Sequence, residues 1–187
     1  MDDVNLCVVD TSNEICGEGD IPHPCVGLTR RMMVPHPNDQ KDVMIECLQN
    51  HTPDVIVIDE VGRKAEVEAA KTVKERGVRL LASAHGDLRS LVRNKDLNGM
   101  VGGVSSLVIG DAAAAKKNAD RKTVAERSGQ PTFDVVIELD RENRGSWTVV
   151  MDVAGAVDSI LKGGLYRAQK RTRDSSGEFF NMVNLEM

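Results

Sequence analysis

With 187 residues and a 41% hydrophobic fraction, the chain is long enough to bury one real core, and a 28% charged fraction is ordinary for a globular protein. A formal net charge of -5 excludes a protein that coats nucleic acid indiscriminately. No apolar run approaches the roughly 20 residues of a membrane-spanning helix.

Only 3% of the chain is aromatic, so the core must be built from Val, Ile, Leu, Met and Ala. Four scattered cysteines do not make a disulfide scaffold and favour a reducing, intracellular setting. Met1-Asp2-Asp3 shows no basic n-region and no Arg-rich amphipathic stretch, so no targeting peptide is read there.

Taken in chain order, Val4 to Val9 is a short run rich in β-branched residues and ends at Asp10. The Gly/Pro-rich stretch from Gly17 to Pro37 reads as a long loop. Asn38 or Asp39 can cap a helix that runs to about Gln49, with Val43, Cys47 and Leu48 on one face. After Pro53, Val55-Ile56-Val57-Ile58 is apolar at successive positions, as a buried parallel strand must be. A second helix spans Ala65 to Arg76 and stops at Gly77, a natural residue for the left-handed position after a helix. Val78 to Ala82 is a third strand, followed by Ser83-Ala84-His85-Gly86.

This alternation of strand and helix predicts an α/β fold with a parallel sheet. Downstream, Ser105 to Ile109, Thr123 to Glu126, Phe133 to Leu139 and Trp147 to Met151 read as strands of a smaller, antiparallel section. Val153 to Leu161 reads as a closing helix. On this reading residues 1–162 form the core. A basic, mobile tail, 163–187, carries Arg167, Lys170, Arg171 and Arg173.

The strongest chemical signal is Val55-Ile56-Val57-Ile58-Asp59-Glu60. In an open α/β sheet, ligands bind outside the carboxyl ends of the strands. A hydrophobic strand that ends in two acids places them at that edge. One carboxylate can hold a hydrated Mg²⁺, and the next can orient a water for attack on a phosphoryl group. The blander alternative is a solvated turn before Gly62. Context favours chemistry, because the first strand also ends in acid, at Asp10, and the third is followed by His85.

A longer resemblance runs through these motifs. The segments Val8-Val9-Asp10-Thr11-Ser12-Asn13-Glu14-Ile15, Gly17 to Pro24, and Arg30-Arg31-Met32 are similar to the ATPase domain of stage III sporulation protein AA. They look closer still to its relatives in cyanobacteria, plastids and plants. The match continues in one register through Val43 to Glu46, Val55 to Gly62, Glu75 to Val78, Ala84-His85-Gly86, Gly102-Gly103-Val104, Gly110-Asp111, Lys122 to Arg127 and Pro131 to Asp134. It covers residues 4–162. Some of those relatives carry an added nucleic-acid-binding domain named for an Arg-x-x-x-His motif, which is not found in this sequence.

The resemblance implies a RecA-like P-loop core of the AAA+ (ASCE) kind, one that binds and hydrolyses ATP with Mg²⁺ and works as a homo-oligomer in a bacterial cytoplasm or a plastid stroma. By position it makes Asp59 the Walker B magnesium residue and Glu60 the water-polarising glutamate. Asp10 and Glu14 fall at an acidic box facing the nucleotide, His85 at a histidine box, and Arg30 and Arg31 in a loop that supplies cations to phosphates.

One element of that family is missing. The pattern G-x-x-x-x-G-K-[ST] occurs nowhere in the chain, so the backbone cradle for phosphates is absent. The chain therefore reads as an N-terminally truncated core. Its parallel sheet should be open at the edge of the His85 strand, and its ATPase activity should be weak or nil. The competing function is a non-catalytic module derived from that ATPase, binding a partner protein or nucleic acid through the basic tail.

Other residues carry weaker signals. Cys16, His23 and Cys25, with Cys7 or His36 near, can be soft zinc ligands, but their spacing matches no standard pattern. Cys7 and Cys47 suit small core positions, and His36 and His51 suit solvated turns. Gly102-Gly103 reads as a tight turn into a strand. Lys116, Lys117, Arg121 and Lys122 form a basic patch after an alanine-rich segment, either a solvated face or a nucleic-acid contact.

Overall fold

In the computed structural model, which describes residues 4–108, 123–173, 176 and 180–187, four strands line up in parallel. They are β1 (Leu6–Asp10), β2 (Arg30–Met33), β3 (Val55–Ile58) and β4 (Arg79–Ala82), in the order β2-β1-β3-β4. The helices α1 (Gln40–Asn50) and α2 (Lys64–Glu75) connect them. The register pairs Cys7 with Ile56 and Val9 with Ile58. Because side chains alternate across a strand, these four share one face. All are essentially inaccessible to solvent, and α1 and α2 close over them with Met44, Cys47, Ala70 and Val73. Each fully buried aliphatic side chain contributes about 1.5–3 kcal/mol, so this face is the core of the first unit.

The expected parallel sheet is present, with strand limits within two residues of those read from sequence. One strand was missed. The stretch from Gly17 to Pro37 is not loop throughout, because Arg30-Arg31-Met32-Met33 pairs with β1. Two adjacent arginines and two methionines give no period-2 signature, which hid it. Gly77 takes φ 82 after α2 and donates its N–H to Lys74 O at 2.9 Å, as expected for a helix stop. Among the described residues β4 ends the sheet, and Leu81 on its outer face is 60% exposed.

The chain divides into two units, Met1–His85 and Gly86–Met187. The second unit opens with α3 (Leu88–Arg93), capped by Asp87, whose Oδ1 accepts from Ser90 N at 2.7 Å. The bonds from Ser90 hold the Asp87 carboxyl below its usual range. A short 3-10 turn follows, then the antiparallel pair β5 (Val104–Val108) and β6 (Thr123–Arg127). Gly102, between the 3-10 turn and β5, has φ 106, and a Cβ there would lie 2.7 Å from Gly129 O. Gly102-Gly103 is accordingly the tight turn anticipated.

The strands β7 (Val136–Leu139) and β8 (Ser146–Val150) form a hairpin, and α4 (Val153–Leu161) follows it. The basic segment after Gly164 is not a mobile tail. It forms β9 (Arg167–Arg173) and β10 (Phe180–Glu186), which extend the sheet to the order β10-β9-β8-β7. The density of cations in β9 hid its pattern, in which Ala168 is buried between the outward-facing Arg167 and Gln169. Gly110-Asp111 and the patch Lys116, Lys117, Arg121 and Lys122 lie outside the described residues. No helix among the described residues is long and apolar enough to cross a membrane.

Candidate functional site at the carboxyl edge of the parallel sheet

The carboxyl ends of β1 and β3 deliver Asp10 and Asp59, both buried, with Asp10 fully inaccessible and Asp59 5% exposed. The backbone ties them together, since Asp59 N donates to Val9 O at 3.1 Å. Their side chains then diverge. Asp10 Oδ2 accepts the N–H of Cys16 at 2.7 Å, so this acid folds the loop that follows its own strand. Its Oδ1 is buried with no hydrogen-bond partner. Asp59 Oδ2 accepts from the Ser12 hydroxyl and, at 3.4 Å, from the Ser12 N–H. The Asp59 carbonyl accepts from the side-chain amide of buried Gln40 at the start of α1.

Glu60 leaves the strand in the left-handed region, with φ 46. For a side chain of this size such a conformation costs of order 1–3 kcal/mol and persists only where its surroundings impose it. Two contacts do so. Glu60 N donates to Ser83 Oγ at 2.9 Å, and Glu60 Oε1 is in hydrogen-bonding contact with His85 Nε2. Below this turn the buried Glu66 carboxylate accepts from Gly62 N at 2.8 Å, Arg63 N at 2.9 Å and the Arg63 guanidinium at 2.9 Å. The start of α2 is thereby fixed, and with it the turn that carries Glu60.

The two arginines separate. Arg31 is the register partner of Val8 and so lies on the Asp10 face of the sheet. Its guanidinium donates to Gly19 O at 2.7 Å and to Asn13 Oδ1 at 2.8 Å, bracing the loop after β1. Arg30 pairs with Cys7 on the α1 face. There burial, then the contact with Cys7, pushes the Cys47 thiol up to about 12, and Arg30 only opposes that rise. Arg30 is thus not at the rim of this edge, because strand alternation turns it away. Glu14 is exposed on the loop, and no bond ties it to the other acids.

The edge therefore brings Asp59 together with Ser12, and Glu60 with His85. Asp10, Arg31 and Asn13 shape the loop beside them. Ser12, Asn13, Gln40, Glu66 and Ser83 were not singled out from sequence. Ser12 and Ser83 each follow a strand end, a position that could have marked them. Gln40 and Glu66 gave no signal, since their roles depend on which backbone groups the fold leaves unpaired.

Among the described residues no three His, Cys, Asp or Glu side chains come close enough to hold a metal ion. The Cys16, His23 and Cys25 set is accordingly not a zinc site here. Burial and the neighbouring Asp10 raise the Cys16 thiol, which keeps its proton, while Cys25 is exposed. A Mg²⁺ ion at this edge fits a different pattern, in which one carboxylate anchors an ion otherwise held by water and phosphate oxygens.

The chain is similar to proteins called ycf45. The uncharacterized protein ycf45 of Porphyra purpurea is 44% identical over 173 residues, covering 92% of this chain and 30% of its own length. The ycf45 protein of Cyanidium caldarium is 39% identical over 182 residues, covering 97% of this chain and 53% of its own length. The protein Seedling plastid development 1 of Arabidopsis thaliana is 45% identical over 159 residues, covering 84% of this chain and 23% of its own length. The chain thus spans about half, or less, of each of these curated relatives. No family model and no solved structure matches it.

Proposed function

We propose that the carboxyl edge of the parallel sheet is the hydrolytic half of an Mg²⁺-dependent ATP site, in a P-loop ATPase of the kind the sequence resembles. The observation that carries this reading is the Glu60–His85 contact. Glu60 adopts a strained backbone to present its carboxylate, and the pair is exposed, with 48% and 84% of the two side chains accessible. Exposed ion pairs stabilise a fold by about 0–1 kcal/mol, so stability does not account for the strain. A carboxylate held beside an imidazole at a strand end is suited to accept and pass on a water proton.

Asp59, oriented by Ser12, is the residue that would hold Mg²⁺, which when bound neutralises phosphate charge and aligns the attacked phosphoryl group. Glu60 positions the water, and His85 orients Glu60. Arg31 and Asn13 keep the loop bearing Ser12 in place. The cradle for the phosphates must come from elsewhere, because these 187 residues contain no G-x-x-x-x-G-K-[ST]. A second subunit or a further segment of the protein would supply it, in line with a homo-oligomer. The similarity to Seedling plastid development 1 favours action in a plastid.

The deciding experiment is Mg²⁺-dependent phosphate release from ATP by the full-length protein, with and without Glu60→Gln. General acid-base groups contribute about 10²–10⁴-fold, so the variant should lose at least a hundredfold while still binding ATP. A rate within twofold of the parent would end this reading.

A non-catalytic module is the second reading. It is favoured by the missing phosphate-loop pattern and by the basic strand β9.

A further inference from the structure

The antiparallel sheet of the second unit has one face that its own helices leave largely open. Register and alternation place Ile137, Leu139, Trp147, Val149, Gln169 and Arg171 on it. Arg167, Arg173, Met182 and Asn184 stand on the same face by the pairing of β9 with β10. On this face Ile137 is 55%, Leu139 80% and Met182 57% accessible, while Val149 at its centre is 3% accessible. By contrast the opposite face buries Ser146, Val150 and Ala168. A cleft of about 560 Å³ lies at the β9–β10 end of the sheet, lined by Val149, Arg167, Gln169, Asn184 and Glu186 of this face, by Ala168 and Leu185 of the other, and by Met151 and Asp152.

Charge and shape together limit what fits there. The chain carries -5 overall, yet this face carries Arg167, Arg171 and Arg173 against Glu186, its cross-strand partner at Arg167. Arg141 and Arg144 are exposed in the turn between β7 and β8, which adjoins Arg173 through the Arg173 N bond to Gly145 O at 2.7 Å. Arg171 lies directly across from Trp147, and its guanidinium is oriented by Gln169 Oε1 at 2.8 Å. An aromatic ring with apolar neighbours, flanked by a line of arginines, matches an extended polyanion that also carries flat apolar groups. Single-stranded nucleic acid has that chemistry, with phosphates for the arginines and bases to stack on Trp147. A duplex hides its base faces, and an acidic peptide offers none.

We propose that this sheet face is a binding site for single-stranded nucleic acid, with Trp147 as the stacking platform and Arg167, Arg171 and Arg173 as the phosphate contacts. It is independent of the ATP site and stands or falls separately. Trp147 is the only tryptophan of the chain, so its fluorescence reports the site directly. Titration of the full chain with 12-nucleotide oligo(U) and oligo(dU) should quench that emission, and the better-bound of the two, which differ only at the 2′ position, identifies the sugar preferred. Three phosphate contacts on a single strand give a slope of log affinity against log salt of about -2.

Arg171→Ala and the exposed-site variant Arg173→Gln should each weaken binding about three- to tenfold with an unchanged far-UV spectrum. Trp147→Phe should retain most affinity, whereas Trp147→Ala loses about tenfold or more. The proposal is overturned if neither oligonucleotide quenches Trp147 at micromolar protein. It is equally overturned if poly-glutamate or a blunt duplex quenches as well as oligo(U), or if emission shifts with protein concentration alone, which would mark the face as a contact between two copies.

Discussion

Glu60 and His85 meet across neighbouring strand ends, one two residues past β3 and the other three residues past β4, although 25 positions separate them in sequence. Both are largely open to water, and the backbone of Glu60 is held at φ 46 to make the contact. An exposed pair of this kind is worth at most about 1 kcal/mol. His85→Ala should therefore shift Tm by less than about 4 °C, given the usual 2–4 °C per kcal/mol for a chain of this size. Scanning calorimetry checks this directly. A shift above 8 °C would make the pair a structural tie rather than a catalytic one.

The second expectation concerns the chain without a phosphate loop. Most phosphate contacts in P-loop enzymes come from that loop's backbone and lysine, and neither exists in these 187 residues. Isothermal calorimetry of the 187-residue chain with Mg²⁺-ATP should give a dissociation constant no tighter than about 1 mM, or about -4 kcal/mol. Micromolar binding would mean that this edge, or another site, holds nucleotide without a P-loop.

The strands were legible from sequence where burial was two-sided, as in Val55 to Ile58, because a continuous apolar run has no other common use. The same logic placed Asp59, Glu60 and His85 at one edge. It failed at β2 and β9, where cationic residues crowd the strand without a clean apolar alternation and the strand is specified by its partners. It also failed to separate Arg30 from Arg31. A pair of adjacent arginines looks like one cationic site in sequence, but a pleated strand must send them to opposite faces. Gln40 could not be foreseen at all, because its function is to satisfy a carbonyl that only the folded edge leaves unpaired.

That role makes Gln40 the third test. Its amide donates to the Asp59 carbonyl in a fully buried position. Gln40→Leu removes the donor and leaves the carbonyl unsatisfied, which costs about 1–3 kcal/mol. Urea unfolding should show a lower midpoint with an unchanged slope. An unaltered midpoint would mean that water replaces the amide and that Asp59 is held by Ser12 alone.

A fourth expectation follows from Cys47. Its thiol is raised from 9.0 to about 12 by burial first and then by Cys7. The folded protein therefore keeps a proton that the unfolded chain releases. The stability linked to this group is complete below pH 9 and is lost as pH rises from about 9 toward about 12. Other groups titrate in that range, so the comparison with Cys47→Val isolates the effect. Between pH 9 and 11 the Tm of the parent should fall more steeply than that of the variant. Parallel slopes would show that the thiol is not held protonated by the fold.

Arg31 supplies the last test, because it links the loop after β1 to the catalytic reading. Its guanidinium bonds both Gly19 O and Asn13 Oδ1, and Ser12, the residue before Asn13, holds the Asp59 carboxylate. The loop's other ties are Asp10 at Cys16, Ser12 at Asp59, a turn closing from Gly17 N to Asn13 O at 3.1 Å, and His23 N donating to Cys16 O at 2.7 Å. Bonds to a charged donor are worth about 1.5–3 kcal/mol each, so Arg31→Ala should free the segment locally while β1 and β3 stay paired. A protease that cuts after glutamate should then cleave at Glu14 and Glu18 at least tenfold faster. Amide exchange should accelerate over residues 11–19 and remain slow over Val55–Ile58. Arg31→Lys, which restores the charge without the fork that reaches two acceptors, should recover only part of the protection. If cleavage at Glu14 and Glu18 is unchanged in Arg31→Ala, the loop is held by Asp10 and its other bonds without Arg31, and Arg31 has no positioning role at this edge.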